Sequence, residues 1–157
     1  MSAFQYNNYK HLLLEFFTET FESVKGIYLD KNTSLFETLT TISAEQASIP
    51  VGGKCATIAA QVKHIAFYLE VIEKAILDPN SPRADWDEVW RTVGVVSESE
   101  WQAIQDELRS NYNRILDLIK STNDWPVEDE VGEMIAVIVH TAYHLGEIRQ
   151  ALCIILK

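Results

Sequence analysis

Two histidines and a carboxylate lie close together near the C-terminal end of this 157-residue sequence. His140 and His144 are four residues apart in the run VHTAYHLGEIRQ, and Glu147 follows three residues after His144. Residues three or four apart share one face of an α-helix, so a helix here would point both imidazoles and the carboxylate the same way. Neutral imidazole is a common ligand of divalent transition metals. The spacing therefore predicts half of a metal site.

His64 is the candidate for the missing ligand. It lies in the run QVKHIAFYL, inside a long apolar segment that we interpret as a helix from Thr57 to Leu77. This helix has apolar stripes on two sides, and His64 lies in one of them, so we expect it to be buried. A lone buried histidine more often has an ordinary partner in the core. Together with His140 and His144, however, it predicts a site of three imidazoles, which is typical of catalytic zinc sites with an open fourth position.

Three other sequence features do not indicate a site. The residue after His140 is Thr141, so the HExxH signature of zincin metalloproteases is absent. The pair Gly52-Gly53 lacks the spacing of a phosphate-binding loop. His11 has no histidine or cysteine partner at helical spacing, and we expect it to be a surface residue.

Composition and charge exclude several classes of protein. The chain has 23 acidic and 13 basic residues and a net charge of −10, which disfavours binding to nucleic acid. No apolar run is long enough to span a bilayer, and the N-terminus lacks the pattern of a secretory signal, so we expect a cytoplasmic protein that does not enter a membrane. Two cysteines, Cys55 and Cys153, are too few for a disulfide framework, and we expect buried free thiols. The length fits a single domain over residues 1–157.

The apolar pattern along the chain is helical throughout and predicts an all-α fold. We expect long helices over residues 4–26, 57–77, 97–120 and from 127 to the C-terminus, a short helical piece over 34–43, and a loop over 44–54. The pair Ser97 and Glu100 has the spacing of a capping box at the start of the third long helix. These elements predict a four-helix bundle with a long crossover between the second and third long helices. The last helix is apolar almost all round, which favours a homodimer.

The two histidine segments together resemble the DinB/YfiT-like superfamily. In that family a histidine lies in the second bundle helix and an HxxxHxGQ motif lies in the last helix; His64 matches the first, and His140, His144 and Gly146 match the second. The resemblance covers most of the chain, including the crossover. It implies a four-helix bundle, often homodimeric, in which the three histidines bind zinc, nickel or another divalent ion. The chain departs from the motif at Glu147, where the family usually has Gln.

The resemblance implies an activity as well as a fold. The family includes metal-dependent thiol transferases, which join a low-molecular-weight thiol (bacillithiol, mycothiol or glutathione) to an electrophile, and a thiol-dependent isomerase. Two alternatives stay open from the residues themselves. One is a metal-assisted hydrolase with Glu147 as base, and the other is a non-catalytic, stress-related dimer that binds metal. The substrate cannot be read from the sequence.

The residues around the predicted ligands allow several roles. Glu147 could hold an imidazole tautomer from outside the ligand set, which we rank first. It could also pair with Arg149 or face outward, or it could fill the fourth metal position. We expect Gly146 to let another helix approach closely. Tyr68 and Tyr143 could donate hydrogen bonds into a cavity, although tyrosines on partly buried helix faces more often only pack, and the mouth of a pocket could be rimmed by Trp86, Trp90 and Trp125.

Overall fold

The computed structural model describes residues 3–53, 55–78, 80–122 and 128–156. Every regular element in these ranges is helical, which confirms the predicted all-α class. The described residues form the α-helices α1 (Ala3–Phe21), α2 (Leu35–Leu39), α3 (Ala44–Ala47), α4 (Ile58–Leu77), α5 (Glu88–Thr92), α6 (Glu98–Ser121) and α7 (Glu128–Ile155), with a 3-10 turn at Val51–Gly53. The long helices α1, α4, α6 and α7 match the predicted ones in number and order. The predicted turn over residues 123–126 lies outside the described residues.

Side-chain caps fix where two of the long helices begin. The hydroxyl of Thr57 accepts the backbone N–H of Ala60 at 3.1 Å at the start of α4. At the start of α6, Ser97 and Glu100 form the predicted capping box, in which each side chain accepts the backbone N–H of the other residue. These caps bond N–H groups that have no partner within the helix.

Helix α4 lies against both α6 and α7, and α1 also packs against these two helices. The buried face of α4 that carries Ile58, Val62 and Ile65 contributes to one hydrophobic core. Between α4 and α6, the side-chain amide of Asn111 donates to the backbone carbonyl of Ala66 at 2.7 Å. The position of α4 between two long helices is what brings its residues against α7.

The connection from α4 to α6 runs back along α4 and is tied to it. Its short helix, α5, packs against α4 and buries Val89. Near its end, the carbonyl of Gly94 accepts the Thr57 hydroxyl at 3.3 Å, and the Val96 N–H donates to the hydroxyl of Ser48 at 2.9 Å. These bonds hold the segment that carries Trp86 and Trp90.

The first helix ends earlier than predicted, at Phe21 rather than at Gly26. The cause is Glu19, which is fully buried and folds the following chain around its carboxylate. Four backbone N–H groups donate to it at 2.7–3.0 Å, those of Lys25, Ile27, Tyr28 and Leu29. Gly26 adopts a φ of 84° inside this turn. A helix continued to Gly26 would commit the Lys25 N–H to a helical bond with the carbonyl of residue 21 and so remove it from the carboxylate. The longer helix is therefore incompatible with this set of four N–H donors, which we call the Glu19 clamp.

The predicted loop over residues 44–54 contains regular structure. Ser43 and Gln46 form a capping box that starts α3, and the turn at Val51–Gly53 follows it. A polar pair three residues apart is a helix-start signal that the Pro and Gly content of this segment obscured.

Both cysteines are exposed, so the prediction of buried thiols is wrong. Cys55 lies before the cap of α4 rather than inside the helix, and Cys153 lies on the outward side of α7. Apolar neighbours in sequence did not predict their burial, because burial depends on which side of the helix faces the core.

Within the described ranges, no single helix is long and apolar enough to cross a membrane. The segment Ala44–Gly53 and α4 reach such a composition only when taken together, and the two are bent by 102° relative to each other.

Candidate metal centre

The three predicted ligands come together between α4 and α7. One ring nitrogen of each of His64, His140 and His144 lies within 4.8 Å of the other two. His64 and His144 are buried, and His140 is half-buried. The pair on α7 shares one face because of its four-residue spacing, and the packing of α4 against α7 adds His64 from the opposite side.

The closest approach within the cluster fits an ion-binding geometry. The Nε2 atoms of His64 and His140 are 3.1 Å apart. Two nitrogens that bind one zinc ion at 2.0–2.1 Å with a tetrahedral angle are about 3.3 Å apart. The two rings therefore need to separate by only a few tenths of an ångström to hold a common ion.

The imidazoles are neutral at pH 7, as ligation requires. Burial lowers the pKa of His64 to about 4, helped by the charge of His144 and opposed by the Glu147 carboxylate. Burial also lowers the pKa of His140 to about 4, with further lowering by His144 and His64. For His144, burial lowers the pKa although Glu147 acts in the other direction. Neutral rings keep the lone pairs that a metal ion needs.

The hydrogen bonds of His144 select its tautomer. Its Nδ1 lies 3.0 Å from Oε1 of Gln61 and 3.0 Å from Oε2 of Glu147. Both are acceptors, so Nδ1 carries the proton and donates it, and the lone pair is on Nε2. An outer acceptor of this kind is what metal-binding histidines usually have.

The position of Glu147 decides between its predicted roles. Its carboxylate accepts from His144 and, at 2.8 Å, from the hydroxyl of Tyr143. It does not belong to the group of ligand atoms, which contains the three histidines alone among the described residues. Arg149 bonds instead to Thr38 at 3.4 Å. The contact to an imidazole from outside the ligand set, our first-ranked role, is the one that the geometry favours.

Gln61 is a functional candidate that the sequence reasoning missed. It is buried on α4 and bonds to His144 from the neighbouring helix. The available signal was its position three residues before His64, which places both on one side of α4.

The Nδ1 atom of His64 is buried without a hydrogen-bond partner among the described residues. Leaving a buried polar atom unbonded costs free energy. The Nε2 atom of His64 is the one that faces His140, so ligation through Nε2 would leave this Nδ1 unbonded as well.

Aromatic rings enclose the cluster on the side of the crossover. Tyr68 stacks on the ring of His140 with centroids 3.9 Å apart, and Trp90 lies 4.4 Å from the ring of His64. Trp86 meets His64 edge-on at 6.5 Å. Trp86 and Trp90 therefore lie beside the histidines, and both rings are partly exposed. Trp125 lies outside the described residues.

An open cavity of about 420 Å³ lies beside the residues that hydrogen-bond around His144. Gln61, Tyr143 and Glu147, which form the hydrogen bonds around that ring, also line this cavity. Gly146 lines it too, and a Cβ atom there would meet no atom within 4 Å. The prediction that Gly146 permits close approach of another helix is therefore wrong, because this side of α7 faces open space.

His11 is not part of the cluster. It is exposed on α1, and its Nε2 lies 3.6 Å from a carboxylate oxygen of Glu15. The prediction of a surface histidine is confirmed.

Comparisons of the chain with protein-family models, with curated proteins and with solved structures give no match. The resemblance to the DinB/YfiT-like superfamily therefore stays a prediction that rests on the histidine motifs. The functional argument depends on the geometry of the site.

Proposed function

We propose that this protein is a divalent-metal-dependent enzyme of the thiol S-transferase type. Its ion, zinc or nickel, is held by His64, His140 and His144. The observation that supports the proposal most is the convergence of three neutral imidazoles from two helices within 4.8 Å. Three histidine ligands leave a fourth position for a substrate, as catalytic zinc sites do.

The residues of the chain support thiol chemistry at such a site. A bound dication with an open position favours the thiolate over the thiol of a substrate held beside it, which makes the sulfur nucleophilic at neutral pH. Gln61 and Glu147 keep His144 in the tautomer that a ligand needs. The rings of Tyr68 and Trp90 limit the access of water to the histidines and offer apolar contact to an electrophile.

The two alternatives receive less support. A hydrolase needs a base beside the open metal position, whereas Glu147 contacts Nδ1 of His144 and the lone pair that would bind a metal is on Nε2. A non-catalytic protein that binds metal would use the same three histidines, but it has no need for the open fourth position that three ligands leave.

The proposal also covers the type of helical bundle, the cellular location and the oligomeric state. The contacts of α4 with α6 and α7, and of α1 with the same two helices, fit a single four-helix bundle over residues 1–157 with the crossover between α4 and α6. We propose that this bundle works in the cytoplasm. We propose also that it is a homodimer, because Ile135, Val139 and Tyr143 form an exposed stripe at four-residue spacing along α7.

The proposal is tested by combining metal analysis with turnover. Purified protein is stripped of metal, reloaded with zinc, nickel or cobalt, and assayed for conjugation of glutathione or cysteine to 1-chloro-2,4-dinitrobenzene. We expect faster conjugation than in buffer by the loaded wild type, and none above background by the stripped protein or by loaded His64→Ala. Ester turnover without added thiol would instead establish the hydrolase. A loaded protein with neither activity would limit the function to metal binding.

A further inference from the structure

We propose that Glu147, held in place by Tyr143, is a positioning residue that strengthens the bond between His144 and the metal ion. The inference rests on the proposed metal centre and deepens it, because it names what sets the affinity of that site. The geometry that carries it is a chain of hydrogen bonds along one side of α7: the Tyr143 hydroxyl to Oε1 of Glu147 at 2.8 Å, and His144 Nδ1 to Oε2 at 3.0 Å.

The carboxylate acts on the ring electronically as well as sterically. When an imidazole donates its Nε2 lone pair to a cation, the ring becomes more positive and its Nδ1–H becomes a stronger donor. A carboxylate stabilises that charge better than a neutral amide does, since charge-assisted hydrogen bonds are about twice as strong as neutral ones. Glu147 is therefore expected to raise the affinity of His144 for the ion.

Gln61 is a matched neutral acceptor of the same proton. Its Oε1 lies 3.0 Å from His144 Nδ1, the same distance as Oε2 of Glu147. The two acceptors approach from different helices, so the ring is restrained from both sides. Gln61 and Glu147 have side chains of equal length but different charge. Placing Glu at position 61 and Gln at position 147 therefore separates the effect of the charge from that of its position.

Tyr143 restrains the carboxylate. The side chain of Glu147 is 39% exposed, and a glutamate at such a position otherwise samples several rotamers. The hydroxyl of Tyr143, one turn earlier on α7, binds the oxygen that does not face His144. This bond orients Oε2 towards the imidazole before an ion binds.

A structural role for Glu147 predicts a different outcome. Its described hydrogen bonds go to Tyr143 and His144, and its partial exposure makes the change to glutamine mild for folding. The positioning role therefore predicts a loss of metal affinity without a loss of stability in the metal-free protein.

The test measures cobalt and zinc affinity by competition with a chelator, the ligand-field spectrum of the cobalt form, and thermal unfolding of the metal-free form. The variants are Glu147→Gln, Tyr143→Phe and the exchange Gln61→Glu with Glu147→Gln. Asp117→Asn, which removes an exposed carboxylate from α6, is the control.

We expect Glu147→Gln to weaken affinity about 10–100-fold, as loss of an outer partner typically does. Tyr143→Phe should weaken it less, the exchange should restore most of it, and the control should change nothing. The cobalt spectrum of Glu147→Gln should keep its coordination number, and its metal-free unfolding temperature should equal that of the wild type.

Three outcomes overturn the inference. They are an unchanged affinity in Glu147→Gln, a cobalt spectrum that shows a lost ligand in that variant, and a failure of the exchange to restore binding. A wild type that binds no metal would instead refute the proposed function, and this inference with it.

Discussion

The Nε2 atoms of His64 and His140 lie 3.1 Å apart, although 76 positions separate the two residues in the sequence. Both rings are neutral at pH 7, since the pKa of each is lowered to about 4 by burial first and by neighbouring charges second. Two neutral imidazoles at this distance share one proton, with one Nε2–H donating to the other Nε2. Metal binding would replace this hydrogen bond, and the ring that donates it would first have to move its proton from Nε2 to Nδ1 to free that lone pair; the metal-free contact already places both Nε2 atoms side by side.

Replacing any one of the three histidines should abolish specific metal binding. For His64→Ala, His140→Ala or His144→Ala we expect the affinity for zinc to fall by more than about 100-fold, because even the loss of an outer partner of a ligand costs 10–100-fold. Metal content after dialysis measures the effect. His11→Ala, which removes an exposed histidine outside the cluster, should retain the wild-type content. Equal metal content in His11→Ala and His64→Ala would show that the cluster is not the site.

Metal removal should destabilise the protein. An ion present at 100 times its dissociation constant stabilises the folded state by about 2.7 kcal/mol, provided it does not bind the unfolded chain. For a chain of this length that corresponds to a rise of roughly 5–10 °C in the unfolding temperature. Thermal scans with zinc and with excess chelator measure the difference. His64→Ala should show no shift, and a shift of equal size in that variant would assign the stabilisation to another site.

The sequence was sufficient to identify the three histidines because their spacing follows helix geometry. His140 and His144 share a face by virtue of four-residue spacing, and His64 lies in an apolar stripe of α4. Which helix packs against that stripe of α4 is decided by tertiary packing and is not visible in the sequence. The contact of Gln61 with His144 was therefore not predicted.

The Glu19 clamp was missed for a related reason. Every residue except proline has a backbone N–H group, so the sequence does not show which of these groups will bond to a carboxylate. That depends on the path of the turn. Exposure was also mispredicted for Cys153, because an almost wholly apolar helix does not reveal which of its sides lacks a neighbour.

The exposed stripe of α7 should control self-association. Ile135 is 46% exposed at the N-terminal end of the stripe, and a charge placed there would be buried without a partner in a symmetric dimer. We expect the wild type to be a dimer by light scattering and Ile135→Glu to be a monomer of unchanged helix content. Val95→Glu is the matched control, since Val95 is 85% exposed on the crossover. A monomeric wild type, or a dimeric Ile135→Glu, would place the interface elsewhere or remove it.

Glu19 should make the fold sensitive to acid. Burial raises the pKa of this carboxyl, but the backbone N–H groups of Tyr28, Ile27, Leu29 and Lys25 together outweigh burial and lower the pKa from 4.5 to about 2. A pKa that is lower in the folded state stabilises the fold above the unfolded-state value and loses this contribution as the pH falls. The stabilisation is therefore complete above about pH 5 and disappears between there and about pH 2.

The substitution Glu19→Gln isolates this effect. At pH 7 we expect it to lower the free energy of unfolding by about 2–4 kcal/mol, because an amide leaves buried N–H donors without an acceptor and places its own donors against them. The difference from the wild type should shrink as the pH falls from 5 to about 2, where the wild-type carboxyl also becomes protonated. Urea unfolding across this range measures it, and Asp117→Asn, an exposed carboxylate-to-amide change, should stay close to the wild type. A Glu19→Gln protein as stable as the wild type at pH 7 would show that the turn after α1 does not depend on the carboxylate, and the early end of that helix would then need another cause.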